Sequence, residues 1–173
     1  MNLMIRQEQV EDINEVYHVV QKAFEQADHS DHDEHHLVNR LRNSANFIPE
    51  LSLVAEYENK VAGFILFTEI TVGDHTLIAL APVAVLPDMQ GKGIGNRLIT
   101  EGHTIAAQLG YKGSVVLGHA AYYPKLGYKR ASQYGITAPF EVQDDNFMAI
   151  ELVDGGLRDV HGVVQYAKAF FER

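Results

Sequence analysis

The chain contains no cysteine, which excludes disulfide bonds, Cys-ligated zinc and an acyl-enzyme built on a Cys thiolate together. It also lacks a basic surplus: 14 Lys and Arg stand against 23 Asp and Glu, a formal net charge of −9 at pH 7. Nucleic acid and anionic membrane surfaces require a basic face, so neither is expected as a partner; cationic small molecules or basic peptides suit the field better. No apolar run of signal-peptide length follows Met1-Asn2-Leu3-Met4-Ile5-Arg6, and none elsewhere approaches membrane-spanning length, so a soluble, cytoplasmic protein is expected. At 173 residues, 46% of them apolar, the chain can close one sizeable core and is expected to form a single domain over 1–173. Internal repeats are absent as well.

Hydrophobic periodicity supplies the elements. Leu3 to Gln7 reads as a strand, and Ile13, Val16, Tyr17, Val20 and Phe24 recur at helical spacing over about residues 10 to 26. A polar stretch from Gln26 to His36 reads as a loop, followed by a second helix from near Asp33, whose carboxylate suits the positive end of a helix dipole. Leu51 to Glu58 and Val61 to Thr68, separated by Asn59-Lys60, read as an antiparallel hairpin. Thr76 to Val85 is a further strand in which Pro82, having no N–H to donate, predicts a bulge or local splaying. Ile94, Leu98, Ile105, Ala106 and Leu109 mark a helix that Gly110 can end. Ser114 to Leu117 reads as a buried central strand, Ala121 to Leu126 as a very short helix, and Tyr128 to Ser132, Phe147 to Leu152 and Val163 to Tyr166 as closing strands. That order predicts one mixed α/β layer.

The most informative stretch runs from Val83-Ala84-Val85 through Leu86-Pro87 to Gln90-Gly91-Lys92-Gly93-Ile94-Gly95, a strand entering a helix through closely spaced glycines. Without Cβ atoms, main-chain N–H groups can approach a ligand closely, and the helix N-terminus adds partial positive charge, an arrangement suited to phosphate or pyrophosphate. Lys92 and Arg97 would add local positive charge. The glycines alternate as G-x-G-x-G, so the dinucleotide fingerprint G-x-G-x-x-G does not match, and the phosphate-loop ending G-K-[ST] is absent. Taken alone, the loop also fits a plain tight turn.

Gln90-Gly91-Lys92-Gly93-Ile94-Gly95 resembles the acetyl-CoA signature [Q/R]-x-x-G-x-[G/A] of the GNAT superfamily of N-acetyltransferases, matching at every signature position. Downstream, Tyr123-Pro124-Lys125-Leu126-Gly127-Tyr128 resembles the same family's Y-x-x-x-G-[FY] element. Glu34 to Arg42, with Val116-Leu117-Gly118 and Tyr122-Tyr123, is similar to the bacterial YhbS-like branch. The resemblance implies an α/β (α+β) fold: a mixed, mostly antiparallel sheet of about six to seven strands, splayed at a bulge and flanked by helices on both faces. It implies one N-acetyltransferase domain that takes acetyl-CoA as cosubstrate, with no metal, and transfers the acetyl group directly to a primary amine of a small molecule or peptide. Val83, Ala84 and Val85 would then contact the pantetheine arm, Gln90, Gly91, Lys92, Gly93, Ile94 and Gly95 the pyrophosphate, and Tyr123 the sulfur. A backbone N–H near Val85 would polarise the thioester oxygen.

By the same resemblance Tyr123, four residues before Gly127, occupies the general-acid position; both Tyr122 and Tyr123 also read as packing residues of a short helix. The base is open. Many relatives take a carboxylate from the central strands, yet Ile78 to Val85 contains none, which leaves Glu69, His119 or a chain of waters. His29, His32, His35 and His36 with Asp31 and Asp33 can be drawn as a metal site, but no H-E-x-x-H pattern supports it and polar loops collect such residues freely. The same loop can instead cover the acceptor side of the cleft, where Asp31, Asp33 and Glu34 favour a cation. Against the enzyme stand two other readings: a non-catalytic acyl-CoA-binding or sensing module that does not depend on Tyr123, and a metal-binding or protein-interaction domain built on the polar loop. A homodimer is the assembly expected by default.

Overall fold

A computed structural model describes residues 2–28 and 30–172. Nine strands are present among the described residues: β1 (Leu3–Gln7), β2 (Phe47–Tyr57), β3 (Lys60–Val72), β4 (His75–Val85), β5 (Gly113–Leu117), β6 (Lys129–Arg130), β7 (Ile136–Thr137), β8 (Phe147–Glu151) and β9 (Gly162–Gln165). Three α-helices accompany them: α1 (Ile13–Phe24), α2 (Glu34–Arg42) and α3 (Ile94–Gln108). The sheet order is β1-β2-β3-β4-β5-β8-β6, with β9 pairing β3 and β7 off that path. Pairing is antiparallel except for β4 with β5 and β7 with β9. The mixed, mostly antiparallel sheet is the expected one; it adds the short β7, and its β6 covers only Lys129–Arg130 of the closing strand expected over Tyr128 to Ser132.

β3 organises the molecule because its apolar run is buried on both sides. Phe64 and Leu66 turn to one face and pack with Val16, Val20, Val38 and Leu41 of α1 and α2. Ile65 and Phe67 turn to the other and pack with Ile94, Leu98 and Ile99 of α3. The period-two alternation of a strand thus feeds two cores from one segment. Helix α3 lies close: a Cβ on Gly102 would fall 2.3 Å from Cε2 of Phe67. The β2–β3 hairpin closes through Glu58 and Asn59, both at positive φ (52° and 65°), as a tight turn matched to strand twist requires. β2 starts at Phe47, earlier than the Leu51 expected, and runs through Pro49 because its register with β3 shifts between Phe47 and Ser52.

The decisive irregularity is in β4. It pairs β3 as Phe67↔Leu80 and then as Ile65↔Val83, so β3 advances two residues while β4 advances three. The extra residue lies at Ala81–Pro82, the predicted bulge. On its other edge β4 runs parallel to β5 only over Ile78↔Ser114, Ala79↔Val115 and Leu80↔Val116. Beyond Leu80 the two strands part.

Under α3 sits a small polar cluster. The fully buried Tyr128 hydroxyl is 2.9 Å from His103 Nε2 and 3.1 Å from Ser114 Oγ. Burial lowers the His103 pKa from 6.5 to about 4, and burial, followed by the influence of His36, also lowers that of His35. In the unfolded chain these imidazoles protonate at ordinary pH, so between pH 6.5 and 4 the unfolded state binds more protons and folding stability must fall as pH falls. For His103 the loss approaches about 3 kcal/mol near pH 4. Urea unfolding at pH 7 and pH 4.5 should register most of it, and His103→Gln should flatten that slope to the smaller part carried by His35; an unchanged slope would refute the assignment.

Candidate active site

The site begins where β4 loses its neighbour. The N–H of Leu86 donates to Ala62 O at 2.9 Å, so by strand alternation the main chain of Ala84 also faces β3, while that of Val83 and Val85 faces the open edge left by β5. This separates the three residues expected to meet a cofactor. Val83 and Val85 offer main-chain groups; Ala84 has its own turned into the ladder and its methyl buried against α1, which leaves it van der Waals contact only.

A Pro87–Met89 3-10 turn carries the chain from β4 into the glycine loop. Gln90 Nε2 donates to Val85 O at 3.1 Å, fastening the start of the loop to the strand end. Gly91 and Gly93 hold φ of +77° and +81°, and a Cβ at either would meet nothing within 4 Å, so the glycines answer a conformational need and face open space. Arg97 N–H makes the first helical bond, to Gly93 O at 3.1 Å. Among the described residues the successive N–H groups from Gly91 to Asn96 have no acceptor, a concentration of bare donors at the positive end of a fifteen-residue helix. Gln90 is the exception to expectation: its N–H already points to Pro87 O and its side chain to Val85. Asn96 is the residue that sequence reading missed, since a signature ending at Gly95 says nothing of the next free N–H. Lys92 is exposed, and Arg97 donates to Leu3 O at 3.3 Å.

Across from this loop, a 3-10 turn over Tyr123–Leu126 ends at Gly127 with φ +102°. It sends its two tyrosines in different directions. Tyr122 donates to Asn96 Oδ1 at 2.6 Å and comes within 3.1 Å of where a Cβ on Gly95 would be. Tyr123 is buried, crossing the rings of Tyr122 and Tyr128 edge-on at 5.0 and 5.6 Å. Its hydroxyl makes no hydrogen bond to a described residue, and the residue lines a cavity of about 420 Å³ at the strand fork. Burial, then neighbouring Tyr122, raises its pKa to about 12, so the phenol stays protonated at neutral pH.

The fork cavity is walled by Pro82 and Val83 of β4, Val116 and Leu117 of β5, and Phe24 and Leu37 of the helices. Val83 and His119 also line an adjoining groove that passes Val85, Gly95 and Tyr122, and that groove shares Gln90 and Gly95 with the hollow over the glycine loop. One path therefore runs from the bare N–H groups, along the open edge of β4, to Tyr123. It suits a long ligand with an anionic head and a thin polar arm.

Of the two base candidates, only His119 is on this path: its exposed side chain lines both the groove and the fork cavity. Glu69 is not. It follows Phe67 on the α3 face of β3, pairs with Ile78, and its Oε2 accepts the Tyr111 hydroxyl at 2.5 Å. The carboxylate that does reach the cavity is Glu34, the first residue of α2, with Ser30 beside it. Within the histidine-rich loop, His35 is buried against Tyr17 at 4.8 Å and His32 Nδ1 bonds Phe24 O at 3.0 Å. His29 lies outside the described residues. Among the described residues no group of three or more His, Asp or Glu is placed to hold a metal ion, and no helix is long and apolar enough to cross a membrane.

The sequence model of the acetyltransferase (GNAT) family matches residues 13–128. The chain belongs to this family. As a GNAT member it is 39% identical over 115 residues to the uncharacterised N-acetyltransferase YjhQ of Escherichia coli K12, and the match spans 64% of each chain, just under two thirds of that relative. It is 30% identical over 123 residues to the N-acetyltransferase YhbS of the same organism, spanning 69% of this chain and 74% of YhbS. The GNAT fold extends further than either alignment. The crystal structure of E. coli YhbS in complex with CoA covers 98% of this chain and 92% of its own at a TM-score of 0.89 and 27% identity. A GNAT acetyltransferase of Brucella melitensis in complex with acetyl-CoA covers 98% of both at a TM-score of 0.80 and 31% identity.

Gly118 sets the Tyr123 position, because a Cβ there would lie 2.3 Å from Tyr123 Cε2. Gly118→Ala should destabilise the fold by about 1–3 kcal/mol through overpacking, lowering Tm by about 2–4 °C per kcal/mol. A thermal melt within 1 °C or so of wild type would mean that the tyrosine has another place to go.

Proposed function

We propose that this protein binds acetyl-coenzyme A along the forked edge of β4 and transfers the acetyl group directly to the nitrogen of an amine held at the opposite mouth of the fork. The observation that carries this reading is the continuous path from the free N–H groups of Gly91 to Asn96, past Val83 and Val85, to Tyr123. The solved relatives in complex with CoA and acetyl-CoA support the choice of ligand.

The residues fit the cosubstrate group by group. Bare N–H donors at a helix N-terminus suit a diphosphate, and the outward main chain of Val83 and Val85 suits the amides of a pantetheine arm. Acetyl-CoA supplies an activated acyl carbon and a thiolate leaving group. Val85 N–H stabilises the charge that gathers on the acyl oxygen. Tyr123, protonated at neutral pH, gives its proton to the departing sulfur. His119, alone of the two candidate bases, is on the path and takes a proton from the amine, directly or through water. The absence of a cysteine to carry the acyl group agrees with direct transfer between two substrates bound together.

Tyr123→Phe should lower kcat by about 100-fold or more and leave the acetyl-CoA dissociation constant within about twofold. The readout is release of free thiol with an amine panel, undisturbed by protein thiols because the chain has none. Unchanged turnover would remove Tyr123 from its role. Acetyl-CoA binding without CoA release from any amine would favour the non-catalytic acyl-CoA module instead.

A further inference from the structure

The fork cavity is chemically lopsided. Among the described residues that line it there is no Lys or Arg, and the fixed charge is the carboxylate of Glu34, set among Phe24, Leu37, Leu80 and Leu117. That carboxylate is held in place: Ser30 Oγ lies 2.8 and 2.6 Å from its two oxygens and itself accepts the N–H of His32 at 2.8 Å. One hydroxyl donor leaves most of the acceptor capacity of a carboxylate open, enough for an ammonium with its three N–H groups. The surrounding apolar walls match a carbon body.

A zwitterion fits badly. The carboxylate of a free amino acid would enter a cavity whose described lining has no Lys or Arg to meet it and with Glu34 repelling it, whereas the neutral amide of the same amino acid presents no such charge.

We propose that the acceptor is a primary amine on an apolar or aromatic body that carries no carboxylate, its ammonium received by Glu34. This rests on the acetyltransferase reading above and names the substrate class of that same site. Once the ammonium has given up one proton to His119 or water, the nitrogen bonds to the acyl carbon and the carbon–sulfur bond breaks. The sulfur leaves with the Tyr123 proton; the second proton of the amine restores the phenol through solvent, so that one proton is released per turnover. Glu34 is a specificity residue in this scheme and carries no proton.

The test uses the full chain, acetyl-CoA and a matched pair, phenylalanine amide and phenylalanine, with 2-phenylethylamine and spermidine beside them. The amide and phenylethylamine should exceed phenylalanine in kcat/KM by about 100-fold. Glu34→Gln should raise KM for the amide by about 30-fold with kcat much less affected, and Glu34→Asp should recover part of that loss. Calorimetry with acetyl-CoA on each variant reports folding and cosubstrate binding separately from the acceptor. Failure of the wild-type protein to bind acetyl-CoA sinks the acetyltransferase reading. With binding intact, the substrate proposal alone is overturned by any of three results: phenylalanine or spermidine turned over as well as the amide, neither carboxylate-free monoamine turned over, or a KM indifferent to Glu34→Gln.

Discussion

A single surplus residue in β4 governs this molecule. Around Ala81–Pro82 the strand takes three steps while β3 takes two, and the parallel contact with β5 ends at Leu80↔Val116. β4 does not peel away from the sheet, since its register with β3 resumes at Ile65↔Val83 and holds to Gly63↔Val85. The result is a strand paired on one edge and open on the other, inside the protein and not at its rim. An open strand edge offers unpaired backbone polar groups, which in a buried setting must find partners or water. Here that edge is a polar rail of fixed spacing between two apolar walls.

Electrostatics divides the same region. The chain carries a net charge of −9, yet the glycine-loop end of the fork gathers partial positive charge with few basic side chains, because the N–H groups of Gly91 to Asn96 and the α3 dipole supply it from the backbone. The opposite end of the fork has a carboxylate and apolar walls. In the proposed reading, two ligands of opposite charge approach from opposite ends, and each finds the sign it requires without the two ends cancelling one another.

Much of this was legible in the residues. The glycine alternation, Pro82 and the tyrosine four places before Gly127 are local signals, and local signals survive in a linear reading. Helix α3 and the β2–β3 hairpin were likewise readable from periodicity and a turn. What failed was whatever depended on face or on distant packing. Glu69 sits near a strand end as an acid, but two-residue periodicity sends it to the α3 side with Phe67, where Tyr111 takes it. Ala84 sits between two residues that face the open edge and therefore faces the other way. Glu34 was named in the sequence with Asp31 and Asp33 as an acid favouring a cation; what local sequence does not show is the packing of α1 and α2 over β3 and β4 that brings Glu34 to the fork. Pro49 hid the start of β2, and β7 is too short to leave a pattern.

Tyr122 joins two parts of the structure that the chain supplies from separate elements. Its hydroxyl rests on Asn96 in the first turn of α3, while its ring meets that of Tyr123 edge-on. One aromatic ring thus bridges the start of α3 and the phenol that lines the fork cavity. In the proposed reading, a single ring thereby spans the distance between the two ends of the acyl donor that the protein has to hold, the diphosphate and the thioester.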